Sequence, residues 1–339
     1  MKVLFIGGTG TISAAVSSLA AEKGIELYLL NRGNKNALAP KNAKLVTADI
    51  NNESDVLKAL EGLTFDAVAD FIAFEVSHVE RDYRLFRDKT RQYLFISSAS
   101  AYQKPLSSPF ITESTPLSNP YWQYSRNKIA CEEWLMEKYR AEGFPVTIVR
   151  PSHTYGDASV PLAVHGSNGS FCVLERIRKG KKVIVHGDGS SLWTVTHNTD
   201  FAKAFTGLLG NARALGETYH ITSDESLTWN QIYEIIGAAL DAKPQIVHIP
   251  SDVLALLSEG LYGGLIGDKA NTVVFDNSKI KRAVPEYVAT TRFDQGVRRS
   301  IDYIYSHESC QREDPKFDAW CDEVTELYEK VVNALPKYL

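Results

Sequence analysis

Two residues in the segment NPYWQYSRNKIACEEWL (119–135) are spaced so that they could act together, namely Tyr124 and Lys128. Four residues is just over one helical turn, so on a helix both side chains point the same way. A phenol with an ordinary pKa of about 10 is a poor base near neutrality, and a nearby ammonium lowers that pKa by stabilising the phenolate. On an arbitrary helix such a pair is usually a solvent-exposed face, so the surrounding elements must decide.

A glycine-rich turn near the start of the chain has the character of a dinucleotide-binding loop. The stretch FIGGTGTIS places Gly7, Gly8 and Gly10 between a strand-like and a helix-like segment. Glycines there let the backbone turn sharply and approach a pyrophosphate that rests on the helix N-terminus. The third glycine of the usual pattern is replaced by Ser13, which is small enough for close helix–strand packing.

The end of the second predicted strand bears on the choice between NAD and NADP. An Asp at this position would accept a hydrogen bond from the adenosine ribose and favour NAD. Here Asn31 cannot repel a phosphate and Arg32 could bind one, which favours NADP, although Arg32 is also explained as a solvated loop charge. Asp49, at the close of the third predicted strand, could accept a hydrogen bond from the adenine amino group.

Composition narrows the class of protein. The 339 residues are 44% hydrophobic and 23% charged, with a net charge of −4 and no block of Lys or Arg, so nothing indicates binding to nucleic acid or to an anionic membrane. No apolar run reaches membrane-spanning length. The four cysteines form no CxxC pair, and no HExxH motif occurs. We expect a cytoplasmic protein with reduced thiols and no metal site.

Strand-like and helix-like segments alternate over the first 150 residues. The predicted strands are 2–6, 26–30, 43–50, 65–73, 91–98 and 144–151, and the helices between them include 54–62 and 128–143. Several strands are continuous apolar runs, as expected where both faces of a parallel sheet are buried. The order predicts an α/β fold with a Rossmann-like, doubly wound parallel sheet. A smaller, interleaved C-terminal α/β substrate domain would follow.

Several motifs together make the sequence resemble the extended short-chain dehydrogenase/reductase superfamily, in its NAD-dependent epimerase/dehydratase branch. The motifs are GGTGTIS (7–13), SSASAY (97–102), YSRNK (124–128), RPSHTYG (150–156) and GDGSSLWTVTHNTDFAKAF (187–205). The resemblance covers residues 1 to about 305. It implies that Ser98, Tyr124 and Lys128 are catalytic. Ser98 would hydrogen-bond the substrate oxygen, and Tyr124 would move its proton.

The resemblance also implies the residues that contact the cofactor and the substrate. The predicted cofactor contacts are Gly7, Thr9, Gly10, Thr11, Ile12, Asn31, Arg32, Asp49, Ile50, Ile72, Ala73, Tyr124, Lys128 and Pro151. The predicted substrate contacts are Ser98, Ser100, His153 and Trp193. The predicted domains are 1–157 with 194–222 for the dinucleotide, 158–193 with 223–306 for the substrate, and a helical tail at 307–339.

Departures from the family pattern bear on the substrate. Ala99 and Ser100 stand where sugar-nucleotide 4,6-dehydratases carry an Asp–Glu pair, which argues against that elimination. His153 replaces an Asn that touches the nucleotide diphosphate, and Trp193 replaces an Arg that clamps it. A nucleotide sugar, a free sugar, a sugar acid, a glycoside or another polyol therefore all remain open.

The activity expected is an NAD(P)-dependent oxidoreductase or epimerase acting on a secondary alcohol of a sugar-like substrate. The short motifs GGTGTIS, FIAF and GDGSSLW also resemble those of chloroplast stem-loop-binding proteins. This resemblance provides an alternative, an RNA-associated or non-catalytic protein. The intact Ser98, Tyr124 and Lys128 set and the net charge of −4 count against that alternative. A homodimer is possible, whereas membrane and nucleic-acid partners are not expected.

Overall fold

A computed structural model describes residues 1–336. Its strands are β1 (Lys2–Ile6), β2 (Glu26–Asn31), β3 (Lys44–Thr47), β4 (Ala67–Asp70), β5 (Tyr93–Ile96), β6 (Phe110–Ile111), β7 (Val146–Pro151), β8 (His153–Tyr155), β9 (Lys182–His186), β10 (Leu192–Trp193), β11 (Val195–His197), β12 (Thr218–Ile221), β13 (Leu227–Thr228), β14 (Gln245–Ile249) and β15 (Val274–Phe275). Its helices are α1 (Thr11–Glu22), α2 (Glu53–Ala59), α3 (Val76–Phe86), α4 (Gln123–Glu142), α5 (Phe171–Arg178), α6 (Asn198–Leu208), α7 (Trp229–Ala239), α8 (Ser251–Leu257), α9 (Glu259–Gly264), α10 (Ser278–Ala283), α11 (Phe293–Ser306) and α12 (Pro315–Ala334).

Seven strands form one sheet in the order β12-β7-β5-β4-β1-β2-β3, and the neighbouring pairs are parallel. The chain order reverses on either side of β1, which is the switch point of a doubly wound sheet. In such sheets ligands bind beyond the carboxyl ends of the strands at that point. The predicted fold class is confirmed.

Both faces of this sheet are buried, which explains its continuous apolar strands. In β1, Val3 and Phe5 belong to one apolar cluster, whereas Leu4 and Ile6 belong to the other. All four side chains are fully buried. From Val3 to Ile6 the strand therefore has no solvent-facing residue, and the glycine turn follows a strand that is packed on both faces.

The chain forms two compact units. One comprises 1–154, 196–224 and 275–290, and the other comprises 155–195, 225–274 and 291–339. The first contains the seven-stranded sheet, and the second contains the parallel pair β9–β14 with helices α5, α7, α11 and α12. Assigning the dinucleotide to one predicted domain and the substrate to the other stays a prediction. Residues 337–339 of the predicted tail lie outside the described part of the chain.

Helix α4 begins five residues earlier than the sequence predicted, at Gln123, so that Tyr124 lies in its first turn. A buried ion pair attaches the helix to β7, since Arg150 Nε lies 2.9 Å from Glu132 Oε1 and Nη2 lies 2.5 Å from Oε2. Both side chains are about 95% buried. Because breaking a buried ion pair would leave an unpaired charge away from water, the pair holds α4 in a fixed position against β7.

Helix α12 lies in the predicted helical tail, and its two halves differ in burial. Cys321 and Val324 are buried, whereas Leu327, Val331 and Leu335 are exposed. Among residues 1–336, no helix has both the length and the apolar character needed to cross a bilayer.

Candidate active site

Lys128 is the most constrained residue of the predicted catalytic set. Its side chain is 2% exposed, and its Nζ donates to the backbone carbonyls of Ala73, at 2.6 Å, and Ile96, at 2.7 Å. An ammonium has three N–H donors, so one remains for a further partner. Ile96 ends β5, and Ala73 lies in the loop after the neighbouring strand β4, which places the amine at the carboxyl edge of the sheet.

Burial changes the acidity of this amine. Desolvation lowers the pKa of Lys128 to about 8, against smaller opposing effects from Cys131, Asp70 and Glu132. The amine is therefore still largely protonated at neutral pH. Its Nζ lies 5.8 Å from the ring centroid of Tyr124, and it also faces the ring of Phe74 at 4.6 Å. These distances place a positive charge beside the half-buried Tyr124, whose ring packs 4.9 Å from that of Trp122.

Ser98 follows β5 and begins a short 3-10 helix, Ala99–Ala101. It is half-buried, and it lies two residues after Ile96, whose carbonyl binds Lys128. Its Oγ lies 2.9 Å from the Oγ of Ser100. The structure thus brings the three predicted catalytic residues to the region where β5 ends and α4 begins; their catalytic roles stay predictions.

The glycine turn between β1 and α1 has little room for side chains. Gly7 has a φ of +80°, and a Cβ there would lie 2.5 Å from Ile72 Cγ2. A Cβ on Gly8 would lie 2.5 Å from Leu29 Cδ2. Ser13, which replaces the third glycine, donates its hydroxyl to the carbonyl of Gly7 and accepts from the N–H of Gly10. The serine therefore closes the turn with two side-chain hydrogen bonds, which a glycine at this position could not form.

A cavity of about 390 Å³ opens at this turn and runs along the ends of β2 and β3. Predicted cofactor contacts that line it are Gly7, Thr9, Gly10, Asn31, Arg32, Asp49, Ile50 and Ile72. The other predicted contacts, Thr11, Ile12, Ala73, Tyr124, Lys128 and Pro151, do not line this cavity. Thr11 and Ile12 instead open helix α1, and Pro151 ends β7.

Sequence reasoning missed several residues that line the cavity: Leu30, Gly33, Asn34, Lys35, Ala48 and Asn51. Lys35 matters most, because it adds a second cation to Arg32 in the same space. The signal was present in NRGNKN, where two cations flank a glycine turn directly after β2. Asn31 Oδ1 accepts from the N–H of Gly33 at 2.9 Å, and within residues 1–336 its buried Nδ2 has no partner.

A network of buried charged side chains forms hydrogen bonds to residues that line the cavity. Asp70, at the end of β4, accepts from the N–H of Ile72 at 2.5 Å, and Arg81 contacts both Asp70 and Asp82. Arg81 also donates to Asn51 Oδ1 at 2.9 Å. Burial, reinforced by the neighbouring Asp82 carboxylate, raises the pKa of Asp70 well above its usual range. This network fixes two residues that line the cavity, Ile72 and Asn51.

The remaining predicted substrate residues lie in different parts of the chain. His153 is half-buried at the start of β8. Trp193, in β10 of the second unit, is 4% exposed and stacks on Trp229 with ring centroids 6.1 Å apart. Its indole N–H is buried and has no hydrogen-bond partner among the described residues. Within the same residues, no group of three His, Cys, Asp or Glu side chains could hold a metal.

Comparison with known families decides the class of protein. The model of the NAD dependent epimerase/dehydratase family matches residues 3–222, which include the glycine turn, Ser98, Tyr124 and Lys128. The chain belongs to this family. The predicted resemblance is confirmed, and so is the expectation of an NAD-dependent enzyme of the short-chain dehydrogenase/reductase type.

Two curated relatives span most of the chain. It is 24% identical over 291 residues to the 2'-dehydrokanamycin reductase of Streptomyces kanamyceticus, covering 85% of this chain and 80% of that protein. It is 27% identical over 262 residues to the chloroplast stem-loop binding protein of 41 kDa b from Arabidopsis thaliana, covering 73% of this chain and 65% of that protein. Both predicted likenesses, to enzymes and to stem-loop-binding proteins, are thus confirmed.

Solved structures share the fold. The dTDP-glucose 4,6-dehydratase of Bacillus anthracis, in complex with NAD, superposes with a TM-score of 0.73 at 19% identity, covering 91% of this chain and 97% of that one. The UDP-glucose 4-epimerase of Thermus thermophilus, also in complex with NAD, gives a TM-score of 0.69 at 19% identity, covering 89% and 98%.

Substitutions in the glycine turn separate folding from dinucleotide binding. Gly10 has ordinary extended dihedrals, and an added Cβ would meet only Ser13 Oγ at 3.4 Å, so Gly10→Ala should fold normally. Its methyl group would enter the cavity and raise the Kd for NADPH about tenfold or more. Gly7→Ala should instead lower Tm by several degrees, because of its positive φ and the contact with Ile72. Circular dichroism melts and NADPH fluorescence titrations check both. Wild-type affinity in Gly10→Ala would contradict this use of the turn.

Proposed function

We propose that the protein is an NADP(H)-dependent oxidoreductase or epimerase acting on a secondary alcohol, or the matching ketone, of a sugar-like substrate. The observation that carries this proposal is the buried Lys128 amine, held by two backbone carbonyls with its Nζ 5.8 Å from the Tyr124 ring. Removing a charge from water costs free energy, so a lysine without a role in the interior would lie on the solvated face of the helix.

The proposed chemistry divides between two side chains. In the oxidation direction the Tyr124 oxygen accepts the proton of the substrate hydroxyl, and in reduction the phenol returns it to the carbonyl oxygen. The Lys128 ammonium favours the phenolate, and its third N–H is available to a ribose hydroxyl. Ser98 donates to the substrate oxygen and fixes its distance from Tyr124. Bound nicotinamide would supply the hydride acceptor or donor.

The substrate class proposed is a sugar or glycoside. The relative from Streptomyces kanamyceticus is named a 2'-dehydrokanamycin reductase, and its match spans 85% of this chain. Ala99 and Ser100 argue against the acid–base elimination of dehydratases, as neither is a carboxylic acid. We include His153 and Trp193 among the substrate contacts, and Trp193 offers its buried indole N–H as a donor.

NADP is the proposed cofactor because the cavity at the end of β2 has an electropositive wall. Arg32 and Lys35 both line it, and the tip of β2 carries Asn31 in place of a carboxylate. The Oδ1 of Asn31 accepts from Gly33, and its Nδ2, a buried donor, has no partner among residues 1–336. Two cations and a donor match a ribose 2'-phosphate, which has acceptors only. Asp49, also in the lining, is proposed to accept from the adenine amino group.

A second candidate function is RNA association, favoured by the match to the Arabidopsis stem-loop binding protein. The net charge of −4 and the retained Tyr124 and Lys128 oppose it. Binding of a stem-loop RNA at low micromolar protein, weakening steeply with salt, would favour it over the enzyme.

The proposed function predicts the behaviour of Tyr124→Phe. NADPH oxidation would be measured with a panel of keto sugars and ketoglycosides, and NADP⁺ reduction with sugars and polyols. The variant keeps the ring contact with Trp122 but loses the proton carrier, so turnover should fall about 10²- to 10⁴-fold while the Kd for NADPH stays within about twofold.

Tyr121→Phe is the matched control, because it removes a phenol from the same segment just before α4. It should keep turnover within about threefold, since a hydroxyl outside the proton path contributes little to the barrier. Near-normal turnover of Tyr124→Phe on the same substrate would end the proposal.

The cofactor proposal predicts that Arg32→Ala raises the Kd for NADPH about ten- to a hundredfold, since charge-assisted hydrogen bonds are worth about 1.5–3 kcal/mol. The Kd for NADH should hardly change. Arg91→Ala, which removes an exposed cation outside the cavity, is the control. An equal loss for both dinucleotides would show that Arg32 does not read the 2'-phosphate.

Freshly purified protein would also be denatured and any dinucleotide that it releases identified. One bound dinucleotide per protein favours an epimerase, whereas protein without bound dinucleotide favours a reductase or dehydrogenase.

A further inference from the structure

Three serine hydroxyls form a chain beside the proposed catalytic pair. Ser125 Oγ donates to Ser100 Oγ at 2.7 Å, and Ser100 Oγ lies 2.9 Å from Ser98 Oγ. Ser125 is fully buried and Ser100 is 3% exposed, whereas Ser98 is half-buried. The chain thus begins next to Tyr124 on α4 and ends at the hydroxyl proposed to meet the substrate.

The donors and acceptors of these three hydroxyls allow one direction in which the hydrogen of Ser98 is left for a ligand. A hydroxyl has one hydrogen to donate and can accept two. Because Ser100 Oγ receives the hydrogen of Ser125, its own hydrogen is available to Ser98 Oγ. Ser98 Oγ also accepts the backbone N–H of Ser100, at 3.2 Å. When Ser100 donates in this way, both acceptor positions of Ser98 are occupied from within the protein, and the hydrogen of Ser98 points elsewhere.

The backbone keeps the middle serine in place. Ser100 belongs to the 3-10 helix that follows β5, and its carbonyl accepts from Asn119 Nδ2 at 2.8 Å. The Asn119 side chain is 2% exposed, so this hydrogen bond is shielded from water. A buried, fully connected set of hydrogen bonds specifies one arrangement of its members.

We propose that Ser125 and Ser100 are positioning residues that orient the Ser98 hydroxyl as a hydrogen-bond donor toward the substrate oxygen. This inference rests on the proposed function, in which Ser98 meets that oxygen. It gives Ser100 a different role from the direct substrate contact predicted from the sequence, since the buried Ser100 hydroxyl is already bonded to Ser125 and Ser98. It also gives Ser125, which was not among the residues predicted from the sequence, a part in the reaction.

Neutron diffraction from crystals of the wild-type protein soaked in D₂O tests the direction without any activity. The expected result is deuterium on Ser125 pointing at Ser100 Oγ and deuterium on Ser100 pointing at Ser98 Oγ. Deuterium on Ser98 pointing at Ser100 would reverse the chain and overturn the inference, whatever reaction the protein catalyses.

Kinetics on the panel carbonyl that the wild type reduces test the consequence. Ser125→Ala should lower kcat about tenfold, less than the loss of a direct oxyanion donor, while KM and the Kd for NADPH stay within about twofold. Because Ser125 acts through Ser100, the double variant Ser100→Ala/Ser125→Ala should be no slower than Ser100→Ala alone. If the losses of kcat in the two single variants added up in the double variant, Ser125 would not act through Ser100.

Ser300→Ala is the control for deleting a buried helical serine. Ser300 is fully buried, and its hydroxyl donates to the carbonyls of Gly156 and Gly296 in the second unit. It should leave kcat unchanged. Wild-type kcat in Ser125→Ala would overturn the inference alone, whereas undiminished turnover in Tyr124→Phe would overturn the proposed function on which it rests.

Discussion

The buried ammonium of Lys128 is the interaction on which the rest of the site depends. A charged amine is stable in a nearly dry environment only where fixed acceptors replace its water. Here the carbonyls of Ala73 and Ile96 do so, at 2.6 and 2.7 Å. Ile96 ends β5, Ala73 lies in the loop after the adjacent parallel strand β4, and the amine comes from α4. Three separate segments of the chain must therefore meet within hydrogen-bonding distance before the site exists.

Other buried polar groups keep those segments in register. The carboxyl group of Asp70 accepts a hydrogen bond from the N–H of Ile72 and so shapes the loop that presents Ala73. The ion pair between Arg150 and Glu132 ties α4 to β7, on the other side of β5. Because unpaired buried charges are costly, each of these contacts holds its segment in one position. The half-buried Tyr124 and Ser98 lie on segments that these buried contacts hold in place.

The parts of this arrangement that follow from local pattern could be predicted from the sequence. The apolar run Lys2–Ile6 and the glycines after it gave β1 and its turn with the correct limits, because burial and backbone geometry act there within a few residues. The start of α4 could not be placed, since Trp122 precedes it without a capping side chain. Nor could Ser125 be chosen, because its partner Ser100 lies 25 residues away and only the fold brings the two together.

The most direct test of this account is the acidity of the Lys128 amine. Protein labelled with ¹³C at lysine Cε would be titrated by NMR, and the resonance missing from Lys128→Arg would identify the residue. If the amine is buried on two carbonyls beside Tyr124, desolvation sets its midpoint near a pKa of about 8, well below the ordinary 10.5. A midpoint at or above 10.5 would show a solvated lysine. It would contradict the central claim that this helix carries a desolvated ammonium poised beside a phenol.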